Sequence, residues 1–229
     1  MNRRLRQIYK MIPKNGKGII DVGTDHGQIP IQLAMDQYKG IIFASDIVPG
    51  PLATARKAAI QQHVEKRIHF LLCDGLECCP KDQIDCIVIA GMGGDTICRI
   101  LDRAEWLFSA PYRLLLQPMT HAEVVRYWLV HNEYRIAREA VICEDSHIYQ
   151  IIDSVPGKSE RLQDFEYLVG GIHTEREGDS LDILIEQQFN ILQKKINGMN
   201  TKTVPDSSYS FYLLIQKQFK ELIQDGENI

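Results

Sequence analysis

The sequence predicts an α/β protein: a mostly parallel, doubly wound, Rossmann-like sheet of seven strands, ending in an antiparallel hairpin and followed by a small helical hairpin. Three observations predict it. Short runs rich in Ile, Val and Leu alternate with helical patterns from Ile8 to about Val155. Two strand-like runs then follow each other with no helix between them. After Pro156-Gly157 the pattern is helical throughout.

In chain order, the first segment places Arg3, Arg4, Arg6, Lys10, Lys14 and Lys17 before the first acid, Asp21. Two readings stay open for it: the solvated face of an amphipathic helix, or a phosphate-binding edge beside the active site. GIIDV (18–22), IIFAS (41–45), RIHFLLC (67–73), DCIVIA (85–90) and YRLLLQ (112–117) are short, non-alternating apolar runs. Strands covered on both faces have that composition. Helical patterns near 29–38, 49–61, 94–107 and 121–132 supply right-handed crossovers between parallel strands. YRIAREAVICE (134–144) and HIYQIIDSV (147–155) read as the antiparallel pair that sets this sheet apart from dinucleotide dehydrogenases.

The chain divides into residues 1–157 and a helical unit at 158–229. In the second, Leu181, Ile185, Phe189, Leu192, Ile196 and Met199 make one apolar stripe, and Phe211, Ile215, Phe219 and Leu222 a second. Thr201 to Pro205 interrupts them, and Ser207 or Ser208 suits a helix cap. Both a coiled-coil-like antiparallel hairpin and a pair of helices lying flat on the main domain fit this pattern.

A hydrophobic content of 45% with 24% charged residues excludes bulk disorder. No apolar run spans a bilayer, and the N-terminus lacks the apolar core of a secretory signal. Cysteines at 73, 78, 79, 86, 98 and 143 form no C-x-x-C pair, so neither a zinc cage nor a disulfide framework is expected and a reducing cytoplasm fits. No metal is expected. A net charge of −4 argues against nucleic acid, but the basic N-terminus moderates that.

The chemistry concentrates in IIDVGTDHGQIP (19–30). A glycine turn after a first buried strand, opening into a helix, is where α/β sheets bind nucleotides. Dinucleotide sites want a glycine two positions after the first; here that position is Asp25, whose carboxylate would repel a pyrophosphate. The D-x-G-x-x-x-G spacing, Asp21 to Gly27 through Gly23 and Thr24, instead matches a turn holding S-adenosylmethionine. That cofactor is a sulfonium with an ammonium group and no phosphate, so Asp21 and Asp25 suit the ammonium. Asp46 ends the second strand, where an acid accepts both ribose hydroxyls, and apolar Ile47 suits the adenine face. Asp74 ends the third and could take the adenine amine, with Gly75 allowing close approach. Ala90, Gly91 and Met92 lie at the fourth strand's mouth, where a transferred methyl would sit.

DVGTDHGQIP, DIVPGPL, DGLE, IAGMGG and LLLQPM, then RYWL, EYRIAREAVICED and IYQI, resemble in order the bacterial tRNA (adenine-22-N1)-methyltransferase family. The resemblance covers roughly residues 3–155 and extends more loosely into the tail. It implies a class I methyltransferase fold, S-adenosylmethionine as donor, a D-arm adenine N1 of tRNA as acceptor and a C-terminal helical hairpin. The chain departs from the family's GSDHAYLP at Gly27 and Gln28, carries Asp46 where a Glu is usual, and has Met119 where LQPN has Asn. A methionine cannot hydrogen-bond a base edge as an amide can.

Methylases of exocyclic amines commonly carry [DNS]-P-P-[YFW] after the fourth strand; AGMGG stands there instead. Adenine N1 needs no base to free its lone pair, and its methylated product is a cation that a carboxylate would stabilise. Asp25 is the candidate and His26 the second choice; His26 could equally bond local backbone. Tyr149 could stack on the extruded base or pack in the core. Gln117 could read the base edge or cap a strand, and Met92 and Met119 suit packing. Other methyltransferase substrates, and a non-catalytic RNA-binding role, remain as alternatives. A monomer is expected.

Overall fold

In the computed structural model, residues 1–145, 147–159, 162–171, 174–176, 179–199 and 207–226 are described. Helix α1 (Arg3–Met11) leads into β1 (Gly18–Val22), α2 (Gln28–Met35), β2 (Ile41–Asp46), α3 (Pro49–Gln61) and β3 (Ile68–Leu72). Then come β4 (Cys86–Gly93), α4 (Gly94–Asp102), β5 (Arg113–Thr120), α5 (Ala122–His131), β6 (Tyr134–Glu144) and β7 (His147–Pro156). The tail holds α6 (Glu166–Val169), β8 (Thr174–Arg176), α7 (Ser180–Met199) and α8 (Ser207–Gly226). The strand order is β3-β2-β1-β4-β5-β7-β6-β8. Strands β1 to β5 are parallel and β7 runs antiparallel to both β5 and β6, as the sequence predicts.

Neighbouring residues of one strand feed opposite cores, because a strand alternates its faces. Ile20, Ile87 and Leu116 pack with Ile97, Leu101 and Leu129 of α4 and α5. Ile19, Val88 and Leu115 pack with Ile8, Met11, Ile29 and Leu33 of α1 and α2. Both faces are covered, which is why the strands read as continuous apolar runs. Asn2 caps α1, its side chain accepting from the Leu5 N–H at 2.9 Å.

Four features differ from expectation. The helix expected over 94–107 ends at Asp102, and a 3-10 turn occupies Glu105–Ser109. Strands β4 and β5 run to Gly93 and Thr120, beyond the expected ends at Ala90 and Gln117, with register shifts around Met92. An eighth strand comes from the tail, pairing parallel to β6. Cys73 and Cys78 are disulfide-bonded, with Cα atoms 5.9 Å apart, because the turn at Asp74-Gly75 folds the chain back; Cys79, Cys86, Cys98 and Cys143 are free.

The two tail helices pack on each other and onto the last strands. Leu184, Leu192, Ile196, Ile215 and Phe219 share a core with Val141 and Val169. The hairpin and the docked arrangement therefore coexist. Buried Arg126 of α5 ties the tail down: it donates to Glu139 at 2.8 Å, to Gln150 at 2.7 Å and to the Tyr167 carbonyl at 2.8 Å. The linker expected at Thr201–Pro205, and the side chains of Met199, Ser207, Ser208, Phe211 and Leu222, lie outside the described residues. No helix among the described residues is long and apolar enough to cross a membrane, and among them no three His, Cys, Asp or Glu residues cluster as metal ligands.

Candidate active site

The strand order reverses direction at β1, flanked by β2 on one side and β4 on the other. Open α/β sheets bind ligands in the crevice at such a point. Here a crevice of about 290 Å³ holds Asp21, Gly23, Thr24, Asp25, His26, Ala90 and Gly91 of the predicted residues, together with Arg4, Leu5, Gln28 and Ile29.

The glycine turn is built for tightness. Gly23, Asp25 and Gly27 all have positive φ, and Gly27 in the left-handed region opens α2. A methyl added at Gly27 would stand 2.8 Å from the Cβ of Ala55, so α3 packs too close here for the alanine usual in the resembling family. Thr24 donates its N–H to the Ser45 carbonyl at 2.9 Å and its hydroxyl to Asp21 at 2.7 Å. Burial raises the Asp21 carboxyl to about 6; the Thr24 hydrogen bond opposes the rise and the Asp46 charge adds to it. Both oxygens of buried Asp46 are placed by backbone: Val48 N–H donates at 2.9 Å and Asp25 N–H at 3.3 Å. Asp25 and His26 pair at 2.6 Å on the exposed rim.

Gly91 and Arg4 line the other wall, and Gln117 and Tyr149 from distant chain stand behind them rather than in the crevice lining. Gln117 is fully buried, and its amide orientation follows from its partners. Its Oε1 accepts the Gly91 N–H at 3.2 Å, and its Nε2 donates to the Pro118 carbonyl at 2.8 Å and approaches the Met119 sulfur at 3.7 Å. A donor on one side and an acceptor on the other leave one orientation. The Arg4 guanidinium also donates to Gln117 Oε1, and its carbon lies 5.4 Å from the centre of the Tyr149 ring.

Other predicted residues lie apart. Ile47 is 60% exposed just beyond β2. Asp74 and Gly75 line a separate small depression with Ile100 and Arg103, and Arg103 donates to Asp74 at 3.0 Å while also pairing with Glu77. Met92 lies in the irregular stretch of β4, its methyl close against Gly23. Sequence reasoning named Arg4 only among the six cations of a possible phosphate-binding edge beside the active site, and did not single it out as a member of the site. Of the six early basic residues, only Arg4 turns partly inward; the other five are exposed. It missed as well the exposed pair of His121 with Asp95, 2.6 Å apart after β5, in which Asp95 raises the histidine's pKa and is itself lowered. Neither has a local spacing signal.

A family model described as a methyltransferase domain matches residues 1–152. The tRNA (adenine(22)-N(1))-methyltransferase of Bacillus subtilis strain 168 is 30% identical over 172 residues, covering 75% of this chain and 72% of that relative. The chain belongs to the tRNA (adenine-22-N1)-methyltransferase family. Solved structures agree along nearly the whole length, tail included. A Listeria monocytogenes serotype 4b protein superposes with a TM-score of 0.81 at 25% identity, over 97% of this chain and 99% of that one. The M. capricolum TrmK in complex with S-adenosyl-homocysteine gives 0.77 at 28% identity, over 98% and 96%. The methyltransferase fold and the helical tail are thus common to this chain and its relatives.

Proposed function

We propose that this chain methylates N1 of adenine 22, in the D-arm of tRNA, using S-adenosylmethionine. The observation that carries the reading is the crevice at the sheet's switch point, with buried Asp21 on one side and, on the other, Gly91, whose N–H donates to the buried Gln117 behind it.

The donor wall fits its cofactor. Asp21 is a carboxylate buried at a cost, as its raised pKa records, and an ammonium group would offset that cost. Asp46, held by two backbone N–H groups, suits ribose hydroxyls, and exposed Ile47 suits the adenine face. When bound, S-adenosylmethionine supplies a methyl already activated on a sulfonium cation. The chain's own task is then alignment of the acceptor.

The acceptor wall fits adenine. Gln117 Oε1 can take the N6 amine, which leaves the neighbouring N1 lone pair free for the methyl. Guanine would oppose its O6 to the same oxygen, so Gln117 disfavours it. Asp25, oriented by His26, would offset the positive charge of methylated adenine, and Tyr149 would stack on the extruded base. Because N1 is on the pairing edge, the base must leave its pairing to enter. Asp74, held by Arg103, would have to exchange that partner to take part.

Residues 1–157 serve as the catalytic unit and residues 158–229 as the unit that engages tRNA, in a cytoplasmic monomer. A groove of about 810 Å³ between α5 and the tail, with Tyr127, Tyr167 and Lys195 on its walls, supports that role for the tail. The test is incubation of the protein with unmodified tRNA transcript and S-adenosylmethionine, followed by nucleoside analysis. The expected product is 1-methyladenosine; N6-methyladenosine as the primary product overturns the assignment.

A further inference from the structure

We propose that Arg4 is a displaceable occupant of the acceptor-base seat: its guanidinium fills the adenine's place in the free protein and moves to a tRNA phosphate when the base enters. This rests on the function proposed above and deepens it. Three contacts place Arg4 in that seat. It donates to Gln117 Oε1, it lies 5.4 Å from the Tyr149 ring centre, and its Nη1 stands 3.5 Å from where a side chain on Gly91 would begin.

Each of these contacts is one that an adenine would make. A guanidinium is planar, stacks on aromatic faces and presents N–H donors in its plane. An adenine stacked on Tyr149 presents its N6 donor to the same Gln117 oxygen. The two cannot occupy the seat together. Holding the seat filled also gives Gln117 Oε1 a second donor beside the Gly91 N–H, and gives Tyr149 a cationic partner in the absence of RNA.

The release needs only a side chain to move. The α1 backbone is anchored by buried Ile8 and Met11, by the Asn2 cap, and by Arg3 N–H donating to Glu144 at 2.6 Å. Arg4 is half-buried at the crevice edge and the next cation, Arg6, is exposed. A guanidinium leaving the seat therefore emerges where the extruded nucleotide's phosphate must pass, and Arg–phosphate pairing replaces what it gives up.

The experiment uses the full chain as wild type, Arg4→Ala and Arg4→Lys. Free adenosine is titrated by NMR into each chain saturated with S-adenosyl-homocysteine, and tRNA methylation with S-adenosylmethionine as donor is followed in separate reactions over a salt series. Arg4→Ala should bind adenosine about fivefold or more tightly, since no cation need be displaced. Its KM for tRNA should rise about tenfold with kcat within about threefold, and the salt slope should fall by about 0.9, one phosphate contact. Arg4→Lys should restore the slope without excluding adenosine, because an ammonium is not planar; it also replaces Arg4→Ala if that variant proves unstable. Unchanged adenosine binding overturns the proposal, and so does a raised KM with an unchanged slope, which marks a merely structural role. A wild-type chain that forms no 1-methyladenosine overturns instead the function on which it rests.

Discussion

The two walls of the crevice are made differently. The donor wall is local: Asp21, Gly23, Thr24 and Asp25 sit in one turn, and Asp46 reaches that turn across adjacent parallel strands. Its polar groups are held by backbone and by each other. The acceptor wall joins Arg4 to Gln117, 113 residues apart, and Tyr149 from the antiparallel hairpin. Its Gln117 amide is held by backbone at Gly91 and Pro118, whereas the Arg4 guanidinium meets the side chains of Gln117 and Tyr149 and can exchange partners. On the proposed reading, the wall for an invariant cofactor is rigid, and the wall that admits a base is the one whose guanidinium can leave.

If the two walls act separately, single substitutions should divide cofactor binding from turnover. Asp46→Ala removes two charge-assisted acceptors and should weaken S-adenosyl-homocysteine binding about 100-fold in calorimetry. An unaltered affinity would remove Asp46 from the ribose role. Gln117→Leu should lower kcat/KM for tRNA about 30-fold, the worth of a good base contact, while leaving S-adenosyl-homocysteine affinity intact. Weakened cofactor binding in this variant would show the walls to be coupled.

The donor wall should also carry its own pH dependence. Asp21 titrates at about 6 in the folded protein against an ordinary 3.8, so its ionised form costs stability above pH 6. That cost disappears as pH falls from about 6 toward 3.8. Cofactor binding runs the other way, because the ammonium needs the anion. Affinity for S-adenosyl-homocysteine should therefore fall by up to about tenfold per pH unit below 6, and a flat profile from pH 7 to 5 would remove Asp21 from the ammonium role. The smallest effect belongs to Met119→Asn. Met119 is 48% exposed and its sulfur only approaches the Gln117 amide nitrogen. Restoring the usual Asn should change kcat/KM by less than about threefold, because Pro118 already holds that nitrogen. A change of tenfold or more would place residue 119 at the base itself.

The difference between the walls also explains what could be read in advance. The strands, their order of direction and the acids at their carboxyl ends were legible because each depends on spacing within about ten residues. Asp74 shows the limit: it ends its strand as expected, yet Arg103 from the end of α4 takes its carboxylate. Cys73 and Cys78 show it again, joined by a turn that no spacing rule marks. In the tail, the apolar stripes were visible, but not that β8 would extend the sheet or that Arg126 would bind the Tyr167 carbonyl.

By itself the sequence determined the strand–turn–helix units, the seven-strand alternation and the acid-rich glycine turn, since apolar periodicity and backbone conformation are short-range properties. Only the tertiary structure decided which side chains meet across the sheet's mouth. Arg4, one of six early cations, acquired its place because packing α1 against β6 and β7 set its guanidinium beside Gln117 and Tyr149. Contacts between segments over a hundred residues apart are chosen by how layers pack, and no local pattern of residues records that choice.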